Sequence, residues 1–314
     1  MRHLRFLPDD TNVDFIGWRY YAFAADGILL LIAIVSIAVQ GFNLGIDFSG
    51  GVLLETKAAH TIDVGQVRAV VDSLGFGQSQ IQTVGSGDCD RPPGSCVQIR
   101  VQRSGQQVVD AIKAKLGTGY TIRSADVVGP SVSQELFYDG VKATVLAIVL
   151  ISLYVAFRFE WQYGIGALIA TGHDVLVTAG LFSVFHMEFS INSVAALLLL
   201  AGYSINDTVV VFDRIRENRR KYKRMGLKEL INLSTNQIMT RTTLVSFATA
   251  LTMLPLLFFG GPALFGFSAS ILFGIVVGTF SSTYVAAALL LYLPPVGGVR
   301  TDDEVPSVPG AKKA

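Results

Sequence analysis

The chain has 314 residues, of which 51% are hydrophobic and only 16% are charged, and its mean hydropathy is +0.50. Soluble domains carry about 25% charged residues, so this composition argues against an ordinary soluble enzyme. The 25 basic and 24 acidic side chains nearly cancel, and the net charge of +1 gives no overall indication of a nucleic-acid partner.

The apolar residues are collected into six runs, each close to or above the roughly 20 residues that a membrane-spanning helix needs. The runs are 20–39, 141–157, 163–185, 191–212, 242–259 and 263–293. No small-residue cleavage pattern follows the first run, so we expect a retained anchor and not a secretory signal. The pattern predicts an α-helical polytopic membrane protein with six spans.

The orientation of the spans follows from the loops, because Lys and Arg next to a span stay in the cytoplasm. The segment 213–240 contains eight of them, whereas the loops at 186–190 and 260–262 contain none. We therefore predict that 213–240 is a basic cytoplasmic loop and that both termini are cytoplasmic. A basic run can also bind nucleic acid, but a short loop between spans favours the topological interpretation, and no nucleic-acid partner is expected.

Four segments follow from this topology. The first, 1–40, holds the cytoplasmic N-terminus and the first membrane helix, and the second, 41–136, is a periplasmic segment that we call the outer domain. A five-helix membrane bundle occupies 137–294. The remaining segment, 295–314, is rich in Pro, Gly and charge and is expected to be a flexible cytoplasmic tail.

The outer domain is mixed polar and, at about 95 residues, is large enough to fold around its own core. Alternating apolar residues predict strands, and helical spacing predicts helices. The strands are expected at 52–57, 80–84, 97–101 and 120–128, and the helices at 63–74 and 106–116. The order β-α-β-β-α-β predicts a ferredoxin-like α+β domain, a fold that many unrelated functions share.

The two cysteines of the sequence, Cys89 and Cys96, lie between the two middle strands of this domain. Disulfides persist outside the inner membrane, and a bridge closing so short a loop contributes on the order of 2.5 kcal/mol. We interpret the pair as a possible disulfide, with two free thiols as the alternative. Two sulfurs without a convincing His or Asp set make an incomplete zinc shell, and no metal or other cofactor is expected.

Polar residues inside a membrane span are costly to bury, so those that occur there usually serve function. The third run carries His173 and Asp174, the fourth carries Asn206 and Asp207, and Arg241 stands at the inner end of the fifth. We expect all five to act in proton coupling. For His173 and Asp174 the alternative is a set of hydrogen bonds that locks the third helix to its neighbours.

Asp207 and Arg241 lie at depths that allow a pair. Asp207 stands six residues, or about 9 Å, inside Asp213 at the inner interface, and a long Arg241 side chain can reach that level. A proton that neutralises Asp207 weakens its hold on Arg241 and releases one helix relative to the other. The alternative is a static buried pair that holds the helices in register.

Two further observations concern Asp26 in the first run and the source of energy. Asp26 in the first run is expected to lie simply at the inner end of its helix, near Arg19. No phosphate-binding loop, nucleophile elbow or HExxH motif occurs in the sequence. Energy therefore has to come from a gradient or a partner, and a transport subunit is expected and not an enzyme.

Several motifs together resemble the SecD/SecF family of bacterial protein-export membrane proteins, within the resistance-nodulation-division superfamily. They are GIDFSGG at 45–51, VGP at 128–130, HDV at 173–175, GYSINDTVVVFDRIREN at 202–218 and RTT at 241–243. The resemblance covers essentially 41–291, whereas 1–14 and 296–314 match nothing. It implies that Asp207 and Arg241 are the membrane-embedded acid and base of the family.

The resemblance also implies a role that the composition does not. SecF-like members work with SecD, as a separate chain or fused to it, as accessories of the Sec translocon. The implied function is to use the proton motive force, with SecD, to promote preprotein translocation across the inner membrane. The implied partners are SecD, the SecYEG translocon with its accessory membrane proteins, the translocating preprotein, protons and membrane lipid.

The glycines of the GIDFSGG motif can also be explained by backbone conformation. Gly50 and Gly51 allow backbone conformations closed to other residues, so the chain can turn from the first span into the first strand. Asp47 is expected to cap or hydrogen-bond this turn, and Gly202 opens the GYSINDT motif. A contact to SecD or to a moving domain is the functional alternative for GIDFSGG.

Two other functions fit parts of the pattern. A small-molecule or lipid exporter subunit of the same superfamily would share Asp207 and the topology, but would need a larger outer region than 41–136. A purely structural scaffold of the translocon would keep the polar residues static, and predicts that Asp207→Asn leaves export intact.

Overall fold

The computed structural model describes residues 12–76, 79–85, 89, 92 and 94–294. The first eleven residues and the predicted flexible tail at 295–314 lie outside the described residues. In chain order the elements are α1 (Arg19–Gln40), β1 (Asn43–Leu44), α2 (Ile46–Ser49), β2 (Gly51–Ala58), α3 (Val64–Asp72), β3 (Ser79–Val84), β4 (Cys96–Val101), α4 (Gln106–Leu116), β5 (Tyr120–Val128), α5 (Pro130–Arg158), α6 (Trp161–Val184), β6 (Glu188–Phe189), α7 (Ile191–Lys221), α8 (Leu227–Phe259), α9 (Gly261–Ser281), a π-helical turn (Ser282–Ala286) and α10 (Ala287–Leu289).

Six helices of the described chain are long and apolar enough to cross a membrane, as the six apolar runs predict. They are α1, α5, α6, α7, α8 and the composite helix Leu264–Leu289, which joins α9, the π-helical turn and α10. The fold class predicted from the sequence is confirmed by these spans and by the small α+β sheet domain.

The fourth and fifth spans extend beyond their apolar runs. α7 continues to Lys221 and α8 begins at Leu227, so that only 222–226 of the predicted basic loop lie outside helices. Hydropathy ends where lipid contact ends, but Arg, Lys and Glu are good helix formers and carry both helices past the membrane surface. The predicted loop at 213–240 is therefore corrected to a basic C-terminal end of α7, a short basic turn and the first turns of α8.

The outer domain contains a four-stranded sheet in the order β3-β4-β2-β5, with all neighbours antiparallel. Its strands lie within one residue of the predicted bounds. α3 and α4 cover one face, where Val67, Val71 and Ile112 are buried against the apolar side chains of the strands. This arrangement is the predicted ferredoxin-like fold.

α6 and α7 form the centre of the membrane bundle, and α5 and α8 lie at its rim. Large apolar side chains on the rim point outward, such as Phe157 and Phe258, which a lipid environment accommodates. α1 packs along α6, where Ser36 Oγ and Ser183 Oγ lie 2.8 Å apart. Small residues at this contact allow the two backbones to approach closely.

The outer domain is joined to the bundle beside the outer end of α7. β1 pairs in parallel with β6, and Arg100 of β4 forms an ion pair with Glu188 of β6. Arg100 also donates to the Leu44 carbonyl oxygen at 3.3 Å. These contacts border a polar cleft of about 470 Å³ between the open face of the sheet and the bundle.

Candidate proton-coupling site

Asp207 lies where three membrane helices meet. It is 7% exposed, its Oδ1 accepts from Thr242 Oγ1 of α8 at 3.1 Å, and its Oδ2 accepts from Ser282 Oγ of the π-helical turn at 3.3 Å. Among the described residues, no Lys, Arg or His forms an ion pair with it. A charged carboxylate held only by neutral hydroxyls is costly in a low-dielectric interior, and a proton removes that cost.

Arg241 does not form the predicted contact with Asp207. Its side chain is exposed and borders a pocket of about 630 Å³ together with Arg158 and Arg214. Consecutive residues of a helix point about 100° apart, so Thr242 at the next position takes the place facing Asp207. The Arg241 charge acts on Asp207 through space, without direct contact.

His173 and Asp174 form a second buried polar group, on α6. His173 Nδ1 lies 3.1 Å from Asp174 Oδ1, and Ser204 Oγ of α7 donates to Asp174 Oδ2 at 2.5 Å. Asp174 is fully buried. Ser204 and Asp207 are three residues apart on α7 and share one face of that helix, so the two groups lie one turn apart.

Two residues of the GYSINDT motif, Asn206 and Gly202, do not belong to these buried polar groups. Asn206 is exposed, and no hydrogen bond joins it to Asp207 or to another described residue. Gly202 lies inside α7, and a Cβ added there would meet no atom within 4 Å. The structure therefore brings Asp207, His173 and Asp174 to neighbouring positions but leaves Asn206 and Gly202 outside the site.

Asp26 is the acid whose environment the sequence did not reveal. It is not at an open helix end near Arg19, as predicted, but is only 4% exposed and interacts with His173 and Asp174. The sequence feature that could have predicted this burial is the position of Asp26, seven residues inside α1 and about 10 Å from the end of the helix. Ser282, another missed partner, appears in the sequence only as one of many small residues in the last run.

The GIDFSGG motif connects the first span to the sheet. Gly50 and Gly51 have φ of 72° and 127°, in the region open to glycine, and a Cβ on Gly51 would collide with the Val101 carbonyl oxygen. Asp47 does not bond its own turn as expected. Its Oδ2 accepts from the backbone N–H of Ile191 at 2.9 Å, so it satisfies the N-terminus of α7.

Cys89 and Cys96 are joined by a disulfide, with their Cα atoms 5.2 Å apart. Arg123 lies over the bridge, and its guanidinium is 3.0 Å from Glu55 Oε1. Glu55 and the two sulfurs lie within 4.8 Å of one another. The sulfurs are bonded to each other and so do not act as thiolate ligands, and Arg123 already neutralises the carboxylate.

Comparison with family models and known proteins identifies similar sequences over most of the chain. Residues 108–295 match the model of the C-terminal region of the protein export membrane proteins SecD and SecF. Residues 35–62 match the SecD/SecF GG motif, which includes Asp47, Gly50 and Gly51. The matched regions together contain all of the predicted proton-coupling and glycine-motif residues, whereas Asp26, Cys89 and Cys96 lie outside them.

The similar proteins are translocase subunits. The protein translocase subunit SecF of Rhodobacter capsulatus is 39% identical over 310 residues, covering 92% of this chain and 91% of that protein. The protein of the same name from Escherichia coli O157:H7 is 40% identical over 282 residues, covering 89% and 87%.

The similar solved structures are larger. The crystal structure of SecDF, a translocon-associated membrane protein from Thermus thermophilus, has a TM-score of 0.81 and 35% identity over 91% of this chain. A SecDF structure in a super-membrane-facing form has a TM-score of 0.66 and 36% identity over 90% of this chain. The chain spans 39% and 38% of the length of these two SecDF chains.

Proposed function

We propose, since the chain belongs to the SecD/SecF family of protein-export membrane proteins, that it is an accessory subunit of the Sec protein translocase. In this role it works with SecD and uses the proton motive force to promote preprotein translocation. The chain matches 91% of the length of the Rhodobacter capsulatus SecF protein and 39% of the length of the SecDF chain. SecD is proposed as the partner that forms the remaining part of the assembly.

For this function, the chain is proposed to be a multi-pass protein of the bacterial inner membrane. Both termini are proposed to be cytoplasmic, and the outer domain at 41–136 periplasmic. The basic end of α7 and the basic turn that follows it support this orientation, because their Lys and Arg side chains resist translocation. The proposed partners are SecD, SecYEG with its accessory membrane proteins, the preprotein and membrane lipid.

The single observation that carries the mechanism is the contact of Asp207 with α8 and the π-helical turn. When Asp207 is charged, the Thr242 and Ser282 hydroxyls are held as its donors. When a proton neutralises it, both bonds weaken, and α8 and the last span are released to shift against α7. π-Helical turns frequently occur at functional sites, and this one carries Ser282 itself.

The energy available to such a switch is sufficient for a conformational bias. One elementary charge that crosses the full membrane potential is worth about 2.3 kcal/mol per 100 mV. Arg241, which borders the pocket of about 630 Å³, is the basic residue that acts on Asp207. His173 and Asp174 are neighbouring polar groups of the same proton path. Asn206 has no part in this mechanism, because its side chain is exposed.

The test is preprotein translocation into inverted inner-membrane vesicles that contain SecYEG and SecD, with and without a proton gradient. Asp207→Asn keeps the shape of the side chain but cannot cycle between a charged and a neutral form. We expect it to lose the gradient-dependent part of translocation while the complex still assembles. Arg241→Met is expected to reduce the same part.

The matched control is Thr252→Val in α8. Thr252 is exposed, and its hydroxyl bonds only to the Thr249 carbonyl oxygen of its own helix at 2.7 Å. It should retain the full gradient dependence. If Asp207→Asn instead translocates as well as the control, the polar residues are static and the structural-scaffold alternative replaces the proton-driven mechanism.

A further inference from the structure

α1 and α6 run in parallel and keep a constant register along their contact. Ser36 pairs with Ser183, 147 residues later in the chain. Ala33 lies against Gly180, at the same offset, so closely that a Cβ on Gly180 would overlap it. Two helical turns further inward, this register places Asp26 opposite His173.

Both residues of this pair carry an unsatisfied polar atom. Asp26 is 4% exposed and His173 is 9% exposed. Asp26 Oδ2 and His173 Nε2 make no hydrogen bond with a described residue. The register of α1 and α6 places the two residues on the packed faces of neighbouring helices. Two buried, unsatisfied groups on facing helices are a place where a proton can be held.

The other side of the imidazole is already occupied. His173 Nδ1 contacts Asp174 Oδ1, and Asp174 Oδ2 accepts from Ser204. The imidazole thus lies between two carboxylates from different helices. With a neutral imidazole and both carboxylates charged, the group would hold two buried negative charges, each of which costs several kcal/mol in the membrane interior.

Protons relieve this cost in two steps. A proton on the imidazole reduces the net charge of the group to −1, and a second proton, on Asp26, makes it neutral. Asp174 keeps its hydrogen bonds to His173 and Ser204 throughout, whereas Asp26 has an oxygen without a donor. Asp26 is therefore the acid whose protonation changes most between the two states.

We propose that Asp26, His173 and Asp174 form a second proton-binding site in the membrane, with Asp26 as the acid that takes up and releases the mobile proton. Its use in export rests on the proposed function, but its proton binding does not. It is distinct from Asp207, which is held by Thr242 and Ser282.

Within the described part of the chain, no Lys or Arg of the elements packed against α1 forms an ion pair with Asp26. The π-helical turn that packs against α1 contributes Tyr284, whose ring lies against Phe15. Arg19, two turns below Asp26 on α1, is bound to Tyr20 and Tyr292. The charged groups that act on Asp26 are His173 and Asp174, both on α6.

The two sites are connected through α7 and the last span. Ser204, which donates to Asp174, stands one turn from Asp207. Gly278 of α9 lies beside Ser204 and Asp174, and Ser282, one turn later, donates to Asp207. The Asp174 group and Asp207 therefore lie one helical turn apart both on α7 and on the last span.

The test measures protonated carboxyl groups directly, by infrared difference spectroscopy of the full chain, purified with SecD, over a pH series. We expect two titrating buried carboxyl groups in the wild type. Asp26→Asn should lose one of them, Asp207→Asn the other, and His173→Gln should move the Asp26 transition to a different pH. The control Ser36→Ala removes a polar contact of the same helix face and should retain both.

The proposal is overturned if Asp26→Asn shows the same pH-dependent carboxyl bands as the wild type. Should Asp26→Asn fail to assemble, Asp26→Glu keeps the carboxyl group and must show a titrating band at a shifted pH, and its absence overturns the proposal equally. Failure of the proposed function is separate, since it appears as unchanged translocation by Asp207→Asn.

Discussion

At the scale of single residues, the buried acids of the bundle differ in how they are satisfied. Asp174 is held by an imidazole and a hydroxyl, Asp207 by two hydroxyls, and Asp26 has an oxygen that makes no hydrogen bond among the described residues. Hydrogen-bond donors stabilise the charged form of a carboxylate, so the negative charge is least compensated by hydrogen bonds at Asp26.

Asp47 shows how a residue of a short motif acts at a distance in the sequence. Its carboxylate accepts from Ile191 N–H at the first turn of α7, the helix that carries Asp207. A carboxylate at this position satisfies a free N–H group and interacts favourably with the helix dipole. The motif therefore fixes the outer end of the helix on which the proposed proton site depends.

We predict that Asp47→Ala weakens the first turn of α7 by about 1 kcal/mol, the usual cost of losing a helix cap. Hydrogen exchange of the amides of Ile191 and the next two residues should become roughly fivefold faster for that cost. Asp47→Asn keeps an accepting oxygen and should lie between alanine and wild type. If asparagine exchanges as fast as alanine, the charge and not the hydrogen bond carries the effect.

At the scale of secondary-structure elements, the edge strand β3 depends on the disulfide next to it. β3 pairs only with β4 in the sheet, and the Cys89–Cys96 bridge closes the connection between these two strands. Both sulfurs are buried with Val84, the last residue of β3. The bridge therefore ties the less supported edge of the sheet to its centre.

We predict that the double variant Cys89→Ala, Cys96→Ala destabilises this edge by about 2.5 kcal/mol, the loop-closure value for so short a loop. Hydrogen exchange in the full chain should become faster in β3, while β2 and β5, which pair with each other, should change little. Wild type treated with a reductant is the matched comparison and should behave like the double variant. Equal exchange in all three samples would contradict the prediction.

The elements themselves could be predicted well from the sequence, and their mutual orientation could not. Alternation in a half-buried sheet and apolar runs in a bilayer leave direct traces, so the strands are predicted to within one residue and all six spans are identified, although α5, α7 and α8 each extend well beyond one end of the apolar run. Helix ends beyond the membrane leave none, because α7 and α8 continue in polar sequence. The Asp207–Arg241 contact was wrong because a single helix position decides which of Arg241 and Thr242 faces α7.

Asp26 is a second case in which the sequence does not predict how helices pack. Nothing in the sequence of the first run shows that it packs in register with the third, since that contact depends on Gly180 and Ser183, far along the chain. A buried acid can be recognised from the sequence as unusual, but its partner is defined only by the packing of two helices. The sequence therefore predicts the principal acid of the site, Asp207, whereas the residues that surround the buried acids are identified only by the structure.

At the scale of the whole molecule, the outer domain meets the bundle at a junction beside the outer end of α7. The sheet has a hydrophobic core of its own under α3 and α4, independent of the bundle. The junction combines the two-residue pairing of β1 with β6, the Asp47 bond, the Arg100–Glu188 ion pair and the apolar packing of Phe48 against Phe137 and Phe189. A movement of the membrane helices can reach the outer domain through these contacts.

The Arg100–Glu188 pair is the charged contact at this junction. The Arg100 side chain is 12% exposed, and it binds both the Glu188 carboxylate and the Leu44 carbonyl of β1. Arg100→Met keeps much of the apolar stem and removes both interactions. Hydrogen bonds to charged groups contribute about 1.5–3 kcal/mol, so we expect the amides of β1 and β6 to exchange roughly ten- to hundredfold faster.

The internal strands of the sheet should keep their protection in this variant, because their core does not include Arg100. Glu188→Gln should open the same junction, and combining it with Arg100→Met should add little, since both remove one interaction. Arg103→Met, an arginine just beyond the same strand that lies over the Phe76 ring, is the control. Unchanged exchange of β1 and β6 in Arg100→Met and Glu188→Gln would show that the ion pair does not hold the domain. The outer domain would then follow the bundle through the strand pairing, the Asp47 bond, the packing of Phe48 and the direct connection of β5 to α5.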